Sequence, residues 1–181
     1  MSCIPSVTQV LSPWSDFSKV RPDVLDEAAE RGSLVHRACG AIATGLWSPP
    51  VPEEYAGYIV SFKGWFFQYV ESVVIAEPEL VHPVYGYCGH PDLIVRMKGD
   101  SVNTLIDLKT PAAKYKTWRI QLAAYWMLTG DNCSCGRAMS LRLRKDGATP
   151  IADEYTGSLV GDFSVFLSCL QAWKFFKGED Q

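Results

Sequence analysis

The chain has 181 residues, a length that suits one compact domain with a substantial core. Hydrophobic residues make up 48% and charged residues 20%, an ordinary balance for a soluble globular protein, and no apolar run approaches the roughly 20 residues needed to span a bilayer. The net charge of −3 argues against a protein that coats nucleic acid indiscriminately.

The first residues and the cysteines indicate the cellular compartment in which the protein is expected. Residues 1–5 lack the basic region and the apolar stretch of a secretory signal, so we expect a cytoplasmic protein without a membrane partner. Of the six cysteines, only Cys133 and Cys135 lie close together, and their spacing lacks the two intervening residues of common zinc knuckles. Free and mostly buried thiols are therefore expected.

Two helices are predicted in the first part of the chain. Pro22 followed by Asp23 is typical of a first helical turn, where proline is tolerated and an acid suits the helix dipole. Apolar positions at helical spacing then predict a helix over residues 22–45, broken by the proline-rich segment 48–52. A second helix, rich in aromatic residues, is predicted over residues 53–71.

The pattern then changes to that of strands. Residues 73–84, 87–97 and 102–108 predict three strands, with a turn at 98–100. Further along, the pattern predicts a helix over 118–128 closed by Gly130, a strand over 141–144, and a helix over 162–176 with Asp162 as its cap. This order predicts one α/β (α+β) domain over residues 1–181, with a mixed central sheet flanked by helices.

Two acids and a lysine on the predicted strands are the strongest indication of chemistry. Asp107 and Lys109 lie two positions apart, so their side chains share one face of the strand. Alone, the two could form an ordinary surface ion pair. Asp92, at the start of the neighbouring strand, changes this, because two carboxylates on adjacent strands can converge on a hard divalent cation. Such a cation would activate water against a phosphate, and Lys109 could steer that water or offset developing charge.

These residues carry a family resemblance. Pro91-Asp92 followed by Asp107-Leu108-Lys109 resembles the signature of the PD-(D/E)xK nuclease superfamily, and more specifically its RecB-like branch, which includes phage-type exonucleases. Residues 31–36 resemble the helical motif in which a histidine, here His36, is an additional metal ligand. Residues 121–125 resemble the helix motif that helps to organise the active site and bound DNA.

The resemblance implies a restriction-endonuclease-like αβββαβ core and a deoxyribonuclease that uses Mg²⁺ or Mn²⁺, more an exonuclease than an endonuclease. It implies the catalytic residues Asp92, Asp107, Lys109 and Gln121. The metal site that it implies comprises His36, Asp92, Asp107, Leu108 and Glu79. Glu77 competes with Glu79, because the two acids share one face of the predicted strand. An iron–sulfur cluster is not expected, since Cys133 and Cys135 have no third cysteine nearby.

A cationic groove for DNA is the second functional expectation. From Lys109 to Lys145 the sequence contains eight basic residues and a single acidic one. The predicted contacts to nucleic acid are Lys114, Lys116, Arg119, Tyr125, Arg142 and Arg144. Tyr115 and Trp118 could stack on bases or sugars, although core packing is the favoured role of Trp118.

Several alternatives stay open at this point. His36 could be a core histidine, and Gln121 and Tyr125 could simply pack against the sheet. DNA is the expected partner, and the resemblance leaves room for a homo-oligomer or for partner proteins of recombination and replication. The competing function is a catalytically inactive nucleic-acid-binding or structural module on the same fold.

Overall fold

The computed structural model describes residues 4–15, 18, 20–111, 113–133 and 135–177. The helices are α1 (Val7–Leu11), α2 (Pro22–Ala43), α3 (Ala56–Tyr69), α4 (Thr117–Cys133) and α5 (Leu159–Lys177). The strands are β1 (Val70–Ala76), β2 (Leu80–Val81), β3 (Cys88–Gly89), β4 (Leu93–Met97), β5 (Asn103–Lys109), β6 (Cys135–Arg142) and β7 (Ile151–Glu154). No helix of the described part of the chain is both long and apolar enough to cross a membrane.

The central sheet is mixed, as predicted. Its five strands lie in the order β1-β4-β5-β6-β7, and β2 and β3 form a separate two-stranded sheet. Strand β5 pairs antiparallel with β4 and parallel with β6, and helix α4 makes the crossover between β5 and β6. Helices, a three-stranded meander, a helix and a parallel strand therefore follow one another, which confirms the predicted α/β fold class.

The sheet separates two apolar clusters. The front cluster joins one sheet face to α1, α4 and α5, and it includes Ile94, Leu105, Leu122 and Phe166. The back cluster joins the other face to α2 and α3, and it includes Val35, Phe62, Ile106 and Leu108. Alternate residues of β5 belong to opposite clusters, as the two-residue period of a strand requires.

Two predicted strands are shorter in the structure. The strand expected over 73–84 breaks after Ala76, because Glu77 has a positive φ of 48° and Pro78 has no N–H to donate. The strand expected over 87–97 breaks at His90 and Pro91, and its first part, β3, pairs with β2. Both breaks lie beside the predicted site, where the chain leaves the sheet.

The second half of the chain contains three further differences. The strand expected over 141–144 occupies Cys135–Arg142, because its pairing with β5 begins much earlier than the apolar run suggests. Strand β7 was not predicted. Helix α5 begins at Leu159, so Asp162 lies in its first turn and is not the residue before it. Tertiary pairing decides these boundaries more than local pattern does.

Close packing ties β3 to helix α4. A Cβ atom built on Gly89 would lie 2.6 Å from Cε1 of Tyr125, closer than real side chains approach. The absence of a side chain at this position therefore allows the Tyr125 ring to lie directly on the β3 backbone.

Candidate active site

Strand β5 presents Asp107 and Lys109 on the front face of the sheet. Ile106 and Leu108 pack on the back face, so the alternation inferred from the sequence holds. Asp107 is only 3% exposed. Nζ of Lys109 lies 2.6 Å from Oδ2 of Asp107, which makes this a buried ion pair.

Asp92 is the residue immediately before strand β4, and its side chain contacts β5. Leu93 pairs with Ile106, and this register sets Asp92 beside the next part of β5. Oδ2 of Asp92 accepts a hydrogen bond from the backbone N–H of Leu108 at 2.6 Å. Leu108 itself can offer the site only backbone groups, because its side chain is buried in the back cluster. Asp92 and Asp107 are thus brought together by main-chain pairing.

Helix α2 contributes His36. Val35 and Cys39 anchor the helix in the back cluster, which turns the intervening His36 towards β4. Nδ1 of His36 lies 2.8 Å from Oδ1 of Asp92. A histidine from α2 therefore meets an acid that lies 56 positions away in the sequence.

A chain of polar contacts leads from Lys109 into helix α4. Nζ of Lys109 donates to Oε1 of Gln121 at 2.8 Å, and Nε2 of Gln121 donates to the Tyr125 hydroxyl at 3.1 Å. Gln121 and Tyr125 lie one helical turn apart, so both face the sheet. The amide fixes the direction of the ammonium group, and the hydroxyl fixes the amide.

Burial and neighbouring charges shift the pKa values of the three titratable groups Asp107, Asp92 and His36. Burial raises the pKa of Asp107, and the neighbouring Asp92 carboxylate adds to this rise, although Lys109 acts against it. Burial would also raise the pKa of Asp92, but His36 and the Leu108 N–H outweigh it and hold that pKa below its ordinary value. For His36, burial favours the neutral ring, but the charge and hydrogen bond of Asp92, together with the charge of Asp107, outweigh burial and raise the pKa. The imidazole proton and the Lys109 ammonium thus act as counter-charges to two carboxylates.

The donor types at this site fit a hard or borderline divalent cation. Two carboxylates and an imidazole converge here, and Oδ2 of Asp107 is already in contact with the Lys109 ammonium. These three side chains are not arranged as a complete set of metal ligands, however. In the described part of the chain, no three His, Cys, Asp or Glu side chains are grouped so that they could hold a metal ion. A cation would have to replace the proton between His36 and Asp92 as their counter-charge.

The two candidate supporting acids lie in different surroundings. The backbone N–H of Glu77 donates to the Asp92 carbonyl at 2.9 Å. The Glu77 carboxylate lies against Gly40, one helical turn beyond His36, where an added Cβ would come within 2.9 Å of Oε1. Glu79 is exposed on the segment before β2. Glu77 is exposed as well, and only its backbone N–H contacts Asp92. Support of a metal by Glu79, with Glu77 as the alternative, stays a prediction.

Most of the predicted DNA-binding residues are already paired with carboxylates. Oxygens of Asp153 accept from both Lys114 at 2.9 Å and Arg142 at 2.8 Å. Arg119 pairs with Asp162 at 2.8 Å and Arg144 pairs with Asp146 at 2.7 Å. Lys116 is exposed and forms no ion pair with any described residue, whereas Tyr125 is buried in the front cluster. The basic stretch of the sequence is therefore largely compensated in space, and its contact with DNA stays a prediction.

Sequence reasoning undervalued one aromatic residue at this site. Nζ of Lys109 lies 5.5 Å from the centre of the Trp118 ring, within range of a cation–π contact. Trp118 precedes Gln121 by three positions, so the helical period that joins Gln121 to Tyr125 could also have assigned Trp118 to this face. Asp153 was missed for another reason: its role depends on strand β7, which the sequence did not predict.

Comparisons with known proteins give limited similarity. No family model matches the sequence, and no curated protein matches it significantly. Among solved structures, an alkaline exonuclease from Laribacter hongkongensis has 14% identity and a TM-score of 0.46, covering 92% of this chain and 85% of that chain. The same exonuclease in complex with dAMP has 16% identity and a TM-score of 0.45, and the match covers 93% of this chain and 86% of that chain. The structure of SSO0001 has 16% identity and a TM-score of 0.37, and the match covers 75% of this chain and 73% of that chain.

Proposed function

We propose that this protein is a metal-dependent deoxyribonuclease that hydrolyses phosphodiester bonds at the site of Asp92, Asp107 and Lys109. The observation that carries the proposal is the burial of two carboxylates from adjacent strands beside a lysine that helix α4 holds in place. Buried, shifted carboxylates are costly and concentrate at functional sites.

Four groups of this chain would hold the cation. The carboxylates of Asp92 and Asp107, the imidazole of His36 and the backbone of Leu108 lie at one end of β5. Mg²⁺ suits the carboxylates, and the imidazole extends the range to Mn²⁺. A cation held by these groups would supply Lewis-acid chemistry, namely polarisation of the phosphate and activation of water for attack.

The residues of the chain perform the remaining tasks. Asp107 holds the Lys109 ammonium beside the carboxylate pair, and Gln121 restrains the same ammonium from the helix side. A phosphate approaching the carboxylates would meet this fixed positive charge, which offsets negative charge that develops on its oxygens. Tyr125 acts through Gln121, because its hydroxyl is already bound to the amide. Tyr125 is therefore a positioning residue in this scheme, and its contact with DNA stays a prediction.

The finer assignments extend the same proposal. The motif resemblance favours exonuclease over endonuclease activity, and it favours a role in phage-type recombination, replication or repair. DNA is the proposed substrate, and the proposed location is the cytoplasm, including a host cytoplasm for a viral protein. A homo-oligomer or partner proteins of recombination would be compatible with these roles.

A nuclease assay with a matched variant tests the proposal. Wild-type protein should degrade DNA with Mg²⁺ or Mn²⁺ and stop when EDTA is added, and Asp107→Ala should be inactive because it loses a ligand carboxylate. Asp100→Ala is the control: Asp100 lies at the opposite end of the β4–β5 hairpin, where it pairs with Arg137, and should leave cleavage unchanged.

Two results would contradict the assignment. Cleavage that survives in Asp107→Ala after repurification would place the chemistry elsewhere. DNA binding without cleavage under any divalent metal would support the inactive binding module instead. A melting curve for each variant separates loss of the site from loss of the fold.

A further inference from the structure

A cleft of about 540 Å³ opens beside the proposed active site, between helices α1, α2 and α4. Its volume lies within the range of sites that hold small organic molecules. The side chains that matter most to its chemistry are Leu11, Val24, Leu25, Arg31, Tyr115 and Trp118. Arg31 is the single charged group among the described residues of its lining. We refer to this space as the aromatic cleft.

The aromatic cleft has a preformed wall. Trp118 is only 6% exposed, yet it belongs to neither the front cluster nor the back cluster. Its ring instead contacts the Lys109 ammonium on one side and the Tyr115 ring, with 5.6 Å between centroids, on another. The edge of Trp118 that lines the cleft and the 41% exposed ring of Tyr115 together form an aromatic wall against which a flat ligand could pack.

The aromatic cleft is continuous with the proposed site. Gln121 lines the cleft, and its Oε1 accepts the hydrogen bond from Lys109. Trp118 also lines the cleft and lies under the same ammonium. A molecule in the cleft would therefore be separated from the phosphate-facing ammonium by no more than one side chain.

The opposite side of Pro111 differs in character. A second cleft of about 390 Å³ is lined there by Arg142, Arg144, Lys145 and Asp146 among others. Charged walls of that kind suit a hydrated phosphate backbone. The apolar, nearly neutral lining of the aromatic cleft suits an uncharged flat group, which is what a DNA strand offers when a base is unpaired.

We propose that the aromatic cleft receives an unpaired nucleobase of the strand that the neighbouring site cuts. This inference rests on the proposed nuclease function and specifies its substrate. A base inside an intact duplex is stacked and paired, so it cannot enter the cleft without being extruded. The preferred substrate is therefore a single strand or a frayed end.

The test measures base-dependent binding in EDTA, where cleavage plays no part. The probe is a single-stranded oligothymidylate of about ten nucleotides, within the usual range of single-strand sites. The second probe is an abasic strand of the same length, which retains the phosphates and lacks the bases. Wild-type protein should bind the oligothymidylate more tightly than the abasic strand.

The variants assign that difference to the cleft. Trp118→Leu should weaken oligothymidylate binding by about 5- to 100-fold, the usual range for loss of one stacking partner, and leave the abasic strand unaffected. Trp118→Phe should retain most of the affinity because it keeps an aromatic face. Trp47→Leu is the control, since Trp47 is 79% exposed and does not line the cleft.

The outcomes are distinct from those of the nuclease assay. If Trp118→Leu and Trp47→Leu bind both strands as the wild type does, the base-binding proposal is overturned even when cleavage is normal. Equal wild-type affinity for the two probes, or no binding of either, overturns it as well. If Trp118→Leu fails to fold, Tyr115→Leu decides, because Tyr115 lines the same cleft and is exposed at its rim: weaker binding of the oligothymidylate alone supports the proposal, and unchanged binding overturns it. Base-dependent binding in a protein that never cleaves would uphold the cleft and refute the nuclease.

Discussion

Two ion pairs of nearly equal length lie in opposite surroundings. Lys109 and Asp107 are 2.6 Å apart with side chains only 13% and 4% exposed, whereas Arg144 and Asp146 are 2.7 Å apart and 43% and 58% exposed. Water and salt screen the exposed pair, so its distance says little about its strength. The buried pair has lost its hydration, and removal of one partner leaves the other charge buried without its counter-charge.

The difference separates what each region can do. The buried charges are fixed in position and held at perturbed pKa values, as chemistry on a phosphate requires. The exposed basic residues can exchange their carboxylate partners for phosphates at little cost, as binding along a DNA backbone requires. Three experiments test this division.

Lys109→Ala should have the largest effect. We expect turnover to fall by roughly 10²- to 10⁴-fold, the usual scale for a lost positioning or acid–base group, while the two carboxylates still bind the metal. Single-turnover rates and calorimetric metal titrations measure the two quantities separately. Lys98→Ala, at the turn where Nζ donates to the Phe67 carbonyl, is the matched control. Normal turnover would remove Lys109 from the mechanism, and lost metal affinity would give it a structural role.

His36→Ala should change metal preference more than rate. A neutral imidazole nitrogen favours Mn²⁺ over Mg²⁺ relative to carboxylates, so the variant should lose more affinity for Mn²⁺. In the wild type, Asp92 raises the pKa of His36, so a cation must displace a proton that is held more tightly than usual. Metal affinity should therefore increase as the pH rises through the titration of His36.

The control for this experiment is His90→Ala, which removes an exposed histidine two residues before Asp92. Metal titrations at several pH values, each with a melting curve, provide the readout. If His36→Ala melts early but keeps the wild-type ratio of Mn²⁺ to Mg²⁺ affinity, His36 is a core histidine and the metal site shrinks to the two carboxylates.

The smallest effect is expected on the salt dependence of DNA binding. Lys116→Ala should reduce the slope of log K against log[salt] by about 0.9 if it contacts one phosphate of duplex DNA. Arg119→Ala should reduce it less, because Arg119 must first leave Asp162. Lys63→Ala, on the exposed side of α3, controls for general charge. Equal slopes for Lys116→Ala and Lys63→Ala would place Lys116 outside the DNA-binding surface.

The sequence predicted those parts of the site that depend on local pattern. Asp107 and Lys109 share a face because strands alternate, and Asp92 joins them because a short turn forces β4 and β5 to pair. The same reasoning failed at Glu77, where a positive φ ends β1 early. A single backbone angle of this kind leaves little trace in hydrophobic periodicity.

The remaining features depend on contacts between distant segments. Strand β7 is short and polar, so nothing local predicts that Asp153 crosses to Lys114 and Arg142. Eight basic residues in one stretch therefore suggested a continuous cationic groove, and the fold supplies the compensating acids from β7, α5 and a turn. The net charge of a sequence segment therefore does not give the net charge of the surface on which that segment lies.

Gly89 does not contact Lys109, but a side chain at position 89 would disturb the contacts that hold Lys109 in place. A methyl group there would push the Tyr125 ring, whose hydroxyl holds Gln121, which in turn holds Lys109. A side chain at position 89 would therefore act on Lys109 through Tyr125 and Gln121. The loss of activity on substitution should increase with the volume of the new side chain and should not depend on its polarity. In a saturation library scored for both turnover and melting temperature, Gly89→Ala and Gly89→Ser should lose activity together. Full activity in either variant would mean that the ring can move aside without disturbing the amide.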